Sequence, residues 1–525
     1  MTDRRQLLQW IGVGTAAMVW PARAQAQTKS GTHPFALGVA SGSPTHDSIV
    51  LWTRLIFPGE SSQGRPQPAV NVRWELADDD KFSRIVQSGQ VEAVGTLAHS
   101  VHVGVQGLAP DRWYFYRFAV ADSVSVVGRT RTFPAPDAVV ARLRLAYASC
   151  QRWEHGYFSA YRHMRAENLD LVLFLGDYIY EYPNASNAVR IPSGGWVITL
   201  DDYRQRYALH KSDTDLQAMH AACPWLVTWD DHEVQNDYAG LSAGDSGPPM
   251  DDFAARRSAA YQAFYEHMPI RASALTRALS GLAQGAETRI YQRVEYGRLA
   301  SLYLLDARQY RDPQVCTRDG KKGSSTLNPA TCPAWLDPAR SMLGTGQERW
   351  LAGELDRPAS RQSGWNVLGQ TSLFGQRDFL KGPGRRLWND GWDGYAAARS
   401  RLTDALRKNS VSNPVLLGGD VHENWVGHVK ADYDDAASAS VGVEFCGTSI
   451  TSRSAGNAKI PEYLAENPHF VYTDSERKGY GVVELTPRRL TTTLRVVSDV
   501  TQPVTTVETL AQFSVQAGRP VVEKG

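Results

Sequence analysis

The stretch from residue 169 to residue 182 constrains the fold more than any other part of the sequence. Its first half, Leu169-Asp-Leu-Val-Leu-Phe-Leu175, is almost entirely apolar, as is typical of a β-strand buried on both faces of a sheet. Gly176 then lets the backbone turn out of the sheet, so Asp177 is predicted to stand at the rim. Ligands of open α/β sheets bind beyond the carboxyl ends of the strands. The sequence therefore predicts an α/β fold whose chemistry lies at this rim.

The size and charge of the chain limit its class. A chain of 525 residues exceeds what one hydrophobic core usually organises, so two domains are expected. The 56 Lys and Arg residues balance 55 Asp and Glu residues, so no specific nucleic-acid-binding surface is evident. Beyond the N-terminus no stretch approaches the roughly 20 apolar residues of a membrane span, and none is predicted.

Residues 1–26 are interpreted as a twin-arginine signal peptide. Asp3-Arg-Arg-Gln-Leu-Leu8 precedes a short apolar segment, and small residues offer cleavage sites that end at Ala24 or Ala26. An ordinary secretory signal and a basic cytosolic N-terminus are the alternatives. The interpretation predicts a periplasmic or secreted protein that uses the twin-arginine export machinery. Because that machinery carries folded proteins, it also suggests a cofactor inserted before export.

The chain has five cysteines, an odd number for an oxidising compartment. Cys316 and Cys332 lie in a loop rich in Gly, Ser and Pro and are the best disulfide candidates. Cys150 directly follows a predicted strand, 143–149, and is a candidate for chemistry. A buried, inert thiol is the alternative for this residue and is the usual fate of a free cysteine.

Two domains are predicted on either side of a Pro-Ala-Pro linker at 134–136. In residues 27–136, short β-rich runs alternate with turns, which indicates a small all-β sandwich that resembles fibronectin type III modules. In residues 137–525 the pattern changes to strand, helix and strand, with a helix predicted over 157–168. The second domain is the predicted catalytic one.

Several predicted strands end in side chains that bind metals or phosphate. Thiolate, phenolate, carboxylate and imidazole together suit ferric iron, although Cys and His alone equally suit zinc. Asp and Asn oxygens suit calcium, magnesium or manganese. A site with several metals can activate water and hold a phosphoryl group, so phosphate-ester hydrolysis is the predicted reaction class. These side chains follow the strands as Cys150, Asp177, Asp230, Asp231, His232, Asp306, Arg308, Asp420 and His422.

A series of motifs, in order and spacing, resembles that of the alkaline phosphatase D (PhoD-like) family. The motifs are Ala148-Ser-Cys-Gln151, Leu175-Gly-Asp-Tyr-Ile-Tyr-Glu-Tyr182, Trp229-Asp-Asp-His-Glu-Val-Gln-Asn-Asp-Tyr-Ala-Gly240, Leu305-Asp-Ala-Arg308, Leu417-Gly-Gly-Asp-Val-His-Glu-Asn424 and Glu444-Phe-Cys-Gly-Thr-Ser449. The resemblance implies a metallophosphoesterase-like αββα sandwich related to purple acid phosphatases. It also implies ferric iron (Fe3+) and calcium (Ca2+) as cofactors and a phosphate ester as substrate.

The resemblance also implies roles for individual residues. Iron would be held by Cys150, Asp177, Tyr180 and His422, with Asp177 bridging to the second metal. Calcium would be held by Asp177, Asp231, Asn236 and Asp420. A metal-bridging oxide or hydroxide would attack phosphorus in line, and His232 would protonate the leaving alkoxide or bind phosphate. Arg204 and Arg206 are candidates for clamping phosphate.

Other roles stay open at this point. Arg308 is expected to form a structural pair with Asp306. Both phosphomonoesters and phosphodiesters are possible substrates, and a phospholipase D-like activity on phospholipids is an alternative. A non-catalytic exported protein that binds metal or phosphate is a further alternative, which the candidate acid His232 disfavours.

Overall fold

The computed structural model describes residues 33–57, 68–191, 194–275, 288–362, 364–435 and 437–525. The predicted signal peptide, residues 1–26, lies outside the described residues. Among the residues that are described, no helix is both long and apolar enough to cross a membrane.

The described chain contains short helices between many strands. The helices are α1 (Ala160–Arg165), α2 (Leu200–Lys211), α3 (Thr214–His220), α4 (Phe253–His267), α5 (Gly344–Asp356), α6 (Pro358–Gln362), α7 (Ala396–Lys408) and α8 (Ile460–Glu466). The strands are β1 (Val39–Gly42), β2 (Ile49–Arg54), β3 (Val70–Ala77), β4 (Ile85–Ala93), β5 (Ser100–Val105), β6 (Trp113–Val120), β7 (Ser123–Val124), β8 (Gly128–Arg131), β9 (Leu143–Ala148), β10 (Leu171–Leu175), β11 (Trp225–Thr228), β12 (Gln292–Tyr296), β13 (Ala300–Leu304), β14 (Thr326–Leu327), β15 (Trp365–Gly369), β16 (Leu387–Trp388), β17 (Pro414–Gly418), β18 (Asn424–Lys430), β19 (Ser440–Cys446), β20 (Phe470–Asp474), β21 (Gly479–Leu485), β22 (Arg489–Val497), β23 (Val507–Gln516) and β24 (Glu523–Lys524).

Two large sheets form the centre of the molecule. One has ten strands in the order β24-β23-β22-β21-β9-β10-β11-β1-β2-β5, and the other has seven in the order β12-β13-β15-β17-β19-β18-β20. Neighbouring strands from β9 to β11 are parallel, and so are neighbouring strands in the run β13-β15-β17-β19. Parallel strands end at a common edge, so each sheet presents a row of carboxyl ends. The last part of the chain pairs with the first parallel strand, because β21 lies antiparallel beside β9.

The two sheets pack face to face around a common apolar core. Leu173 of β10, Leu304 of β13 and Leu417 of β17 belong to this cluster. The outer face of the ten-stranded sheet is covered by α1 to α4, and that of the seven-stranded sheet by α5 and α7. This order of helix, sheet, sheet and helix confirms the predicted αββα sandwich.

The N-terminal part is the expected all-β sandwich. Strands β1, β2 and β5 face the sheet β4-β3-β6-β7, to which β8 also pairs, and the two share an apolar core. The described residues before 136 contain no α-helix, only a 3-10 turn at Gly95–Leu97. A parallel pairing of Gly42 with Trp225 joins β1 to β11, so one sheet of the sandwich continues into the ten-stranded sheet. The domain boundary at residue 136 stays a prediction.

Two local expectations have different outcomes. The helix predicted over 157–168 is shorter, Ala160–Arg165. It cannot extend through Asn168, whose φ of 51° is left-handed. The predicted disulfide between Cys316 and Cys332 is confirmed, with a Cα–Cα distance of 6.0 Å.

Candidate active site

The carboxyl ends of strands from both central sheets meet at one place. Cys150, Asp177 and Asp231 lie beyond β9, β10 and β11 of the ten-stranded sheet, and Asp420 lies beyond β17 of the seven-stranded sheet. The loop after β19 connects the two edges, because the N–H of Ile450 donates to the carbonyl of Ser149 at 3.0 Å and that of Gly447 to Gly418 at 2.9 Å. Residues far apart in sequence are thereby held in one site.

The backbone at this edge is strained at four predicted metal ligands. Cys150, Asp177 and His422 have φ of 59°, and Asp420 has φ of 65°. This left-handed region costs a residue other than glycine about 1–2 kcal/mol, and such residues concentrate at functional sites. Gly176 adopts φ of 99°, where an added Cβ would lie 2.5 Å from the Cβ of Asp230, so the turn after β10 requires glycine.

Two groups of potential metal-binding side chains share Asp177. The ligand atoms of Cys150, Asp177 and His422 lie within 4.8 Å of one another. The Tyr180 hydroxyl lies 3.0 Å from Oδ2 of Asp177 and 3.3 Å from Nε2 of His422, so the four residues predicted to hold iron are adjacent. Asp177 also belongs to the second group, with Asp231 and His232. Asp177 is thus the residue that the two groups have in common.

The other two predicted calcium ligands, Asp420 and Asn236, are held by hydrogen bonds to residues outside these groups. Oδ2 of Asp420 accepts a hydrogen bond from the Ser372 hydroxyl at 3.0 Å. The backbone N–H of Asn236 donates to Oε1 of Glu181 at 2.7 Å. A third acidic group extends from Asp231 and consists of Asp231, Asp237 and Asp390.

The electrostatics of these side chains fit a cation. Burial raises the pKa of Asp177 and of Asp420 well above the usual carboxyl value, and their carboxylate neighbours raise both further. Burial likewise raises the pKa of the Cys150 thiol and the Tyr180 phenol, and the Asp177 carboxylate adds to both effects. Oδ1 of Asp177 is buried and has no hydrogen-bond partner among the described residues. A buried oxygen in this state fits a metal ligand, because a cation would compensate its charge.

His232 is held by a buried carboxylate. Its Nδ1 lies 2.7 Å from Oε2 of Glu181, whose side chain is fully buried. Burial opposes a charge on His232, but the carboxylates of Glu181, Asp177 and Asp231 outweigh it and raise its pKa well above the usual value. With Nδ1 occupied, Nε2 is the nitrogen left for chemistry.

Glu233 fixes the turns that carry the ligands. Its Oε2 accepts hydrogen bonds from the backbone N–H of Asp177 at 3.1 Å and of Asp230 at 2.7 Å, and its Oε1 accepts one from Tyr178. Burial raises the pKa of Glu233 to about 7, against the effect of these N–H groups. One carboxylate therefore holds the loops after β10 and β11 together.

The ion-pair partners of Arg308 differ from the one expected from the sequence. Its guanidinium pairs with Asp230, with Asp390 at 2.7 Å and with Asp231 at 3.6 Å. Asp306 instead accepts a hydrogen bond from the backbone N–H of Arg308 at 3.0 Å. The expected pair with Asp306 is wrong because Asp230 and Asp390 approach the buried guanidinium from neighbouring loops, and burial strengthens charge pairing there.

The two arginines predicted to clamp phosphate have other partners. Arg204 donates from Nε and Nη2 to both oxygens of buried Glu266, at 2.7 and 2.6 Å, so a phosphate-clamping role is not supported for it. Arg206 is buried and donates to the carbonyls of Tyr180 and Gly195. It therefore holds the backbone of Tyr180 in place.

Several residues of the site were not predicted. Glu181 and Glu233 lie inside the quoted motifs, where their position between ligand residues was a usable signal. Asp390 and Ser452 carry no such signal, although the Ser452 hydroxyl lies 2.7 Å from that of Tyr180 and donates to the carbonyl of Cys150 at 2.9 Å. Only the folded chain brings them to the site.

Comparisons with known proteins agree with this geometry. Residues 145–494 match the family model "PhoD-like phosphatase", and residues 21–134 match "PhoD-like phosphatase, N-terminal domain". "Alkaline phosphatase D" of Bacillus subtilis (strain 168) is 41% identical over 538 residues, which cover 99% of this chain and 89% of that protein. A solved structure titled "Structure of PhoD" superposes with a TM-score of 0.87 at 42% identity, covering 95% of this chain and 93% of that one.

These matches span both the β-sandwich and the αββα core. They include every motif that contributes residues to the site described above. The chain therefore belongs to the PhoD-like phosphatase family.

Proposed function

We propose that this protein is an exported, metal-dependent phosphatase that hydrolyses phosphate esters. The single observation that carries the proposal is the pair of ligand groups that share Asp177 at the edge where both sheets end. Membership of the PhoD-like phosphatase family supports the same reaction class.

Two cations fit the donor set. Cys150, Tyr180 and His422, with Asp177, offer the thiolate, phenolate, imidazole and carboxylate that suit ferric iron. Asp177, Asp231, Asn236 and Asp420 offer the oxygen ligands that suit calcium. Bound cations supply positive charge that activates water and stabilises the negative charge that develops on phosphoryl oxygens.

The protein's own side chains do the remaining work. Glu181 holds Nδ1 of His232, so Nε2 can present a proton to the leaving alkoxide oxygen of the ester. Glu233 and the buried Arg308 hold the loops of Asp177, Asp230 and Asp231 in place before substrate binds. Arg206 donates to the backbone carbonyl of Tyr180 and is a positioning residue for that loop.

The proposal is tested with Asp177→Asn and a matched surface control, Asp404→Asn, which alters a half-exposed residue paired with Lys408. Purified protein should contain iron and calcium and hydrolyse 4-nitrophenyl phosphate at alkaline pH. Asp177→Asn is expected to lose metal and at least about 1,000-fold in kcat, whereas Asp404→Asn keeps both. Full turnover by metal-free protein would reject the metal dependence. Binding of metal and phosphate without turnover of any monoester, diester or phospholipid would instead favour a non-catalytic binding protein.

We also propose export by the twin-arginine route, followed by cleavage near residue 26. The Cys316–Cys332 disulfide supports an oxidising destination, where such bonds persist. Replacing Arg4 and Arg5 together with lysine should retain the folded precursor in the cytoplasm. Normal export of that variant would show that another signal operates.

A further inference from the structure

A cavity of about 420 Å³ opens beside Asp420. Its walls include the side chains of Arg377, Phe379, Arg386 and Trp388. The volume lies within the range of about 300–1,000 Å³ that is usual for small-ligand pockets. Because Asp420 is a proposed calcium ligand and lines the cavity, an ester bound at the metal site can extend its alcohol part into this cavity.

Trp388 forms a flat, accessible wall of the cavity. It is half-buried and contacts no other aromatic ring among the described residues, whereas Trp392 and Trp425 are fully buried. It lies in β16, opposite Thr326 of β14, and its neighbour Leu387 is anchored in a small apolar cluster beside the disulfide. The backbone of Trp388 is therefore fixed by strand pairing and by the packing of Leu387, while the indole ring is available for stacking.

The two arginines of the cavity differ in their charge balance. Arg377 is paired with Glu423 at 2.9 Å, and its guanidinium lies 4.5 Å from the centre of the Phe379 ring. Arg386 is exposed, and its guanidinium donates to the carbonyl of Phe379 at 2.7 Å. Its backbone N–H donates to Oδ1 of Asp378 at 2.9 Å, but its guanidinium forms no ion pair with a carboxylate of the described residues. Arg386 thus brings an uncompensated positive charge and further N–H donors to the mouth of the cavity.

We propose that this cavity binds the nucleobase of a nucleotide ester whose phosphate lies at the metal cluster. The base stacks on Trp388, and Arg386 donates hydrogen bonds to acceptor atoms at its edge. This assignment rests on the proposed phosphatase function and adds a substrate class to it. An ester of a sugar without a base reaches the same cluster but leaves the cavity unused.

The test compares esters that differ only in the base. Adenosine 5′-monophosphate is paired with ribose 5-phosphate, and the methyl diester of the first with that of the second. Stacking of one base on one aromatic side chain predicts that Trp388→Ala lowers kcat/KM for the adenosine esters by about 5- to 100-fold. The ribose esters should change less than about 2-fold, and Arg386→Ala should act in the same selective way.

Matched controls are Trp350→Ala, which alters a half-buried tryptophan outside this cavity, and Arg385→Ala, which alters the neighbouring arginine paired with Asp434. Adenosine should inhibit the intact protein competitively, ribose should not, and Trp388→Ala should abolish the difference. Equal rates for base-containing and base-free esters, or equal losses on both in Trp388→Ala, would overturn the nucleobase assignment while leaving the phosphatase function in place. Failure to hydrolyse any of the four esters or 4-nitrophenyl phosphate would instead reject the phosphatase function.

Discussion

Glu181→Gln is expected to reduce catalysis without removing metal. Glu181 is not a proposed ligand, but its Oε2 lies 2.7 Å from Nδ1 of His232 in a fully buried pair. A hydrogen bond to a charged group contributes about 1.5–3 kcal/mol, which converts to about a 10- to 150-fold loss in kcat if His232 acts as the acid. The amide cannot compensate the positive charge that makes the imidazole a good proton donor.

The assay measures kcat and KM for 4-nitrophenyl phosphate together with metal content by mass spectrometry. KM should stay within about 3-fold, because the variant alters proton delivery and leaves the phosphate site intact. Glu508→Gln, in an exposed pair with Arg477, is the control and should match the unaltered protein. Unchanged kcat in Glu181→Gln, or a loss that only follows lost metal, would show that the Glu181–His232 pair does not serve proton transfer.

Three further predictions concern charge, covalent linkage and ligand identity. Burial lowers the pKa of Lys211 from 10.5 to about 7, so its charge costs the folded state on the order of 5 kcal/mol below pH 7 and nothing above about pH 10.5. Lys211→Met should therefore raise the free energy of unfolding in urea more at pH 6 than at pH 10, and an equal gain at both would contradict the burial argument. Replacing Cys316 and Cys332 with serine should lower that free energy by about 3 kcal/mol, given a loop of 16 residues, and a change below about 1 kcal/mol would count against it. Iron-loaded protein should be coloured by a phenolate ligand, and a visible band that survives in Tyr180→Phe would place Tyr180 outside the coordination sphere.

The strands and their ends could be predicted because their signal is local. An apolar run such as the one before Gly176 is typical of a buried strand, and the polar residues that follow it must lie at the sheet edge. Residues adjacent to those ends, such as Cys150 and His422, lie close together in the structure. Their roles as ligands stay proposals.

The partners of charged residues could not be predicted in the same way. Arg204 pairs with Glu266 and Arg308 with Asp390, and both carboxylates are more than 60 positions away in sequence. Which carboxylate reaches a guanidinium depends on how the layers pack, and periodicity contains no information about that. The same limit applies to Ser452, which approaches Tyr180 only through the loop after β19.

The pairing of β21 with β9 also determines when the molecule can fold. β9 begins at Leu143 and its neighbour β21 at Gly479, so β9 is synthesised long before the strand that pairs with it. A nascent chain that still lacks residues 479–525 would expose one edge of β9, and open strand edges promote aggregation. The pairing of β9 with β21 can therefore form only after residues 479–485 have been synthesised, and loss of the C-terminal strands should lower solubility through the exposed edge of β9.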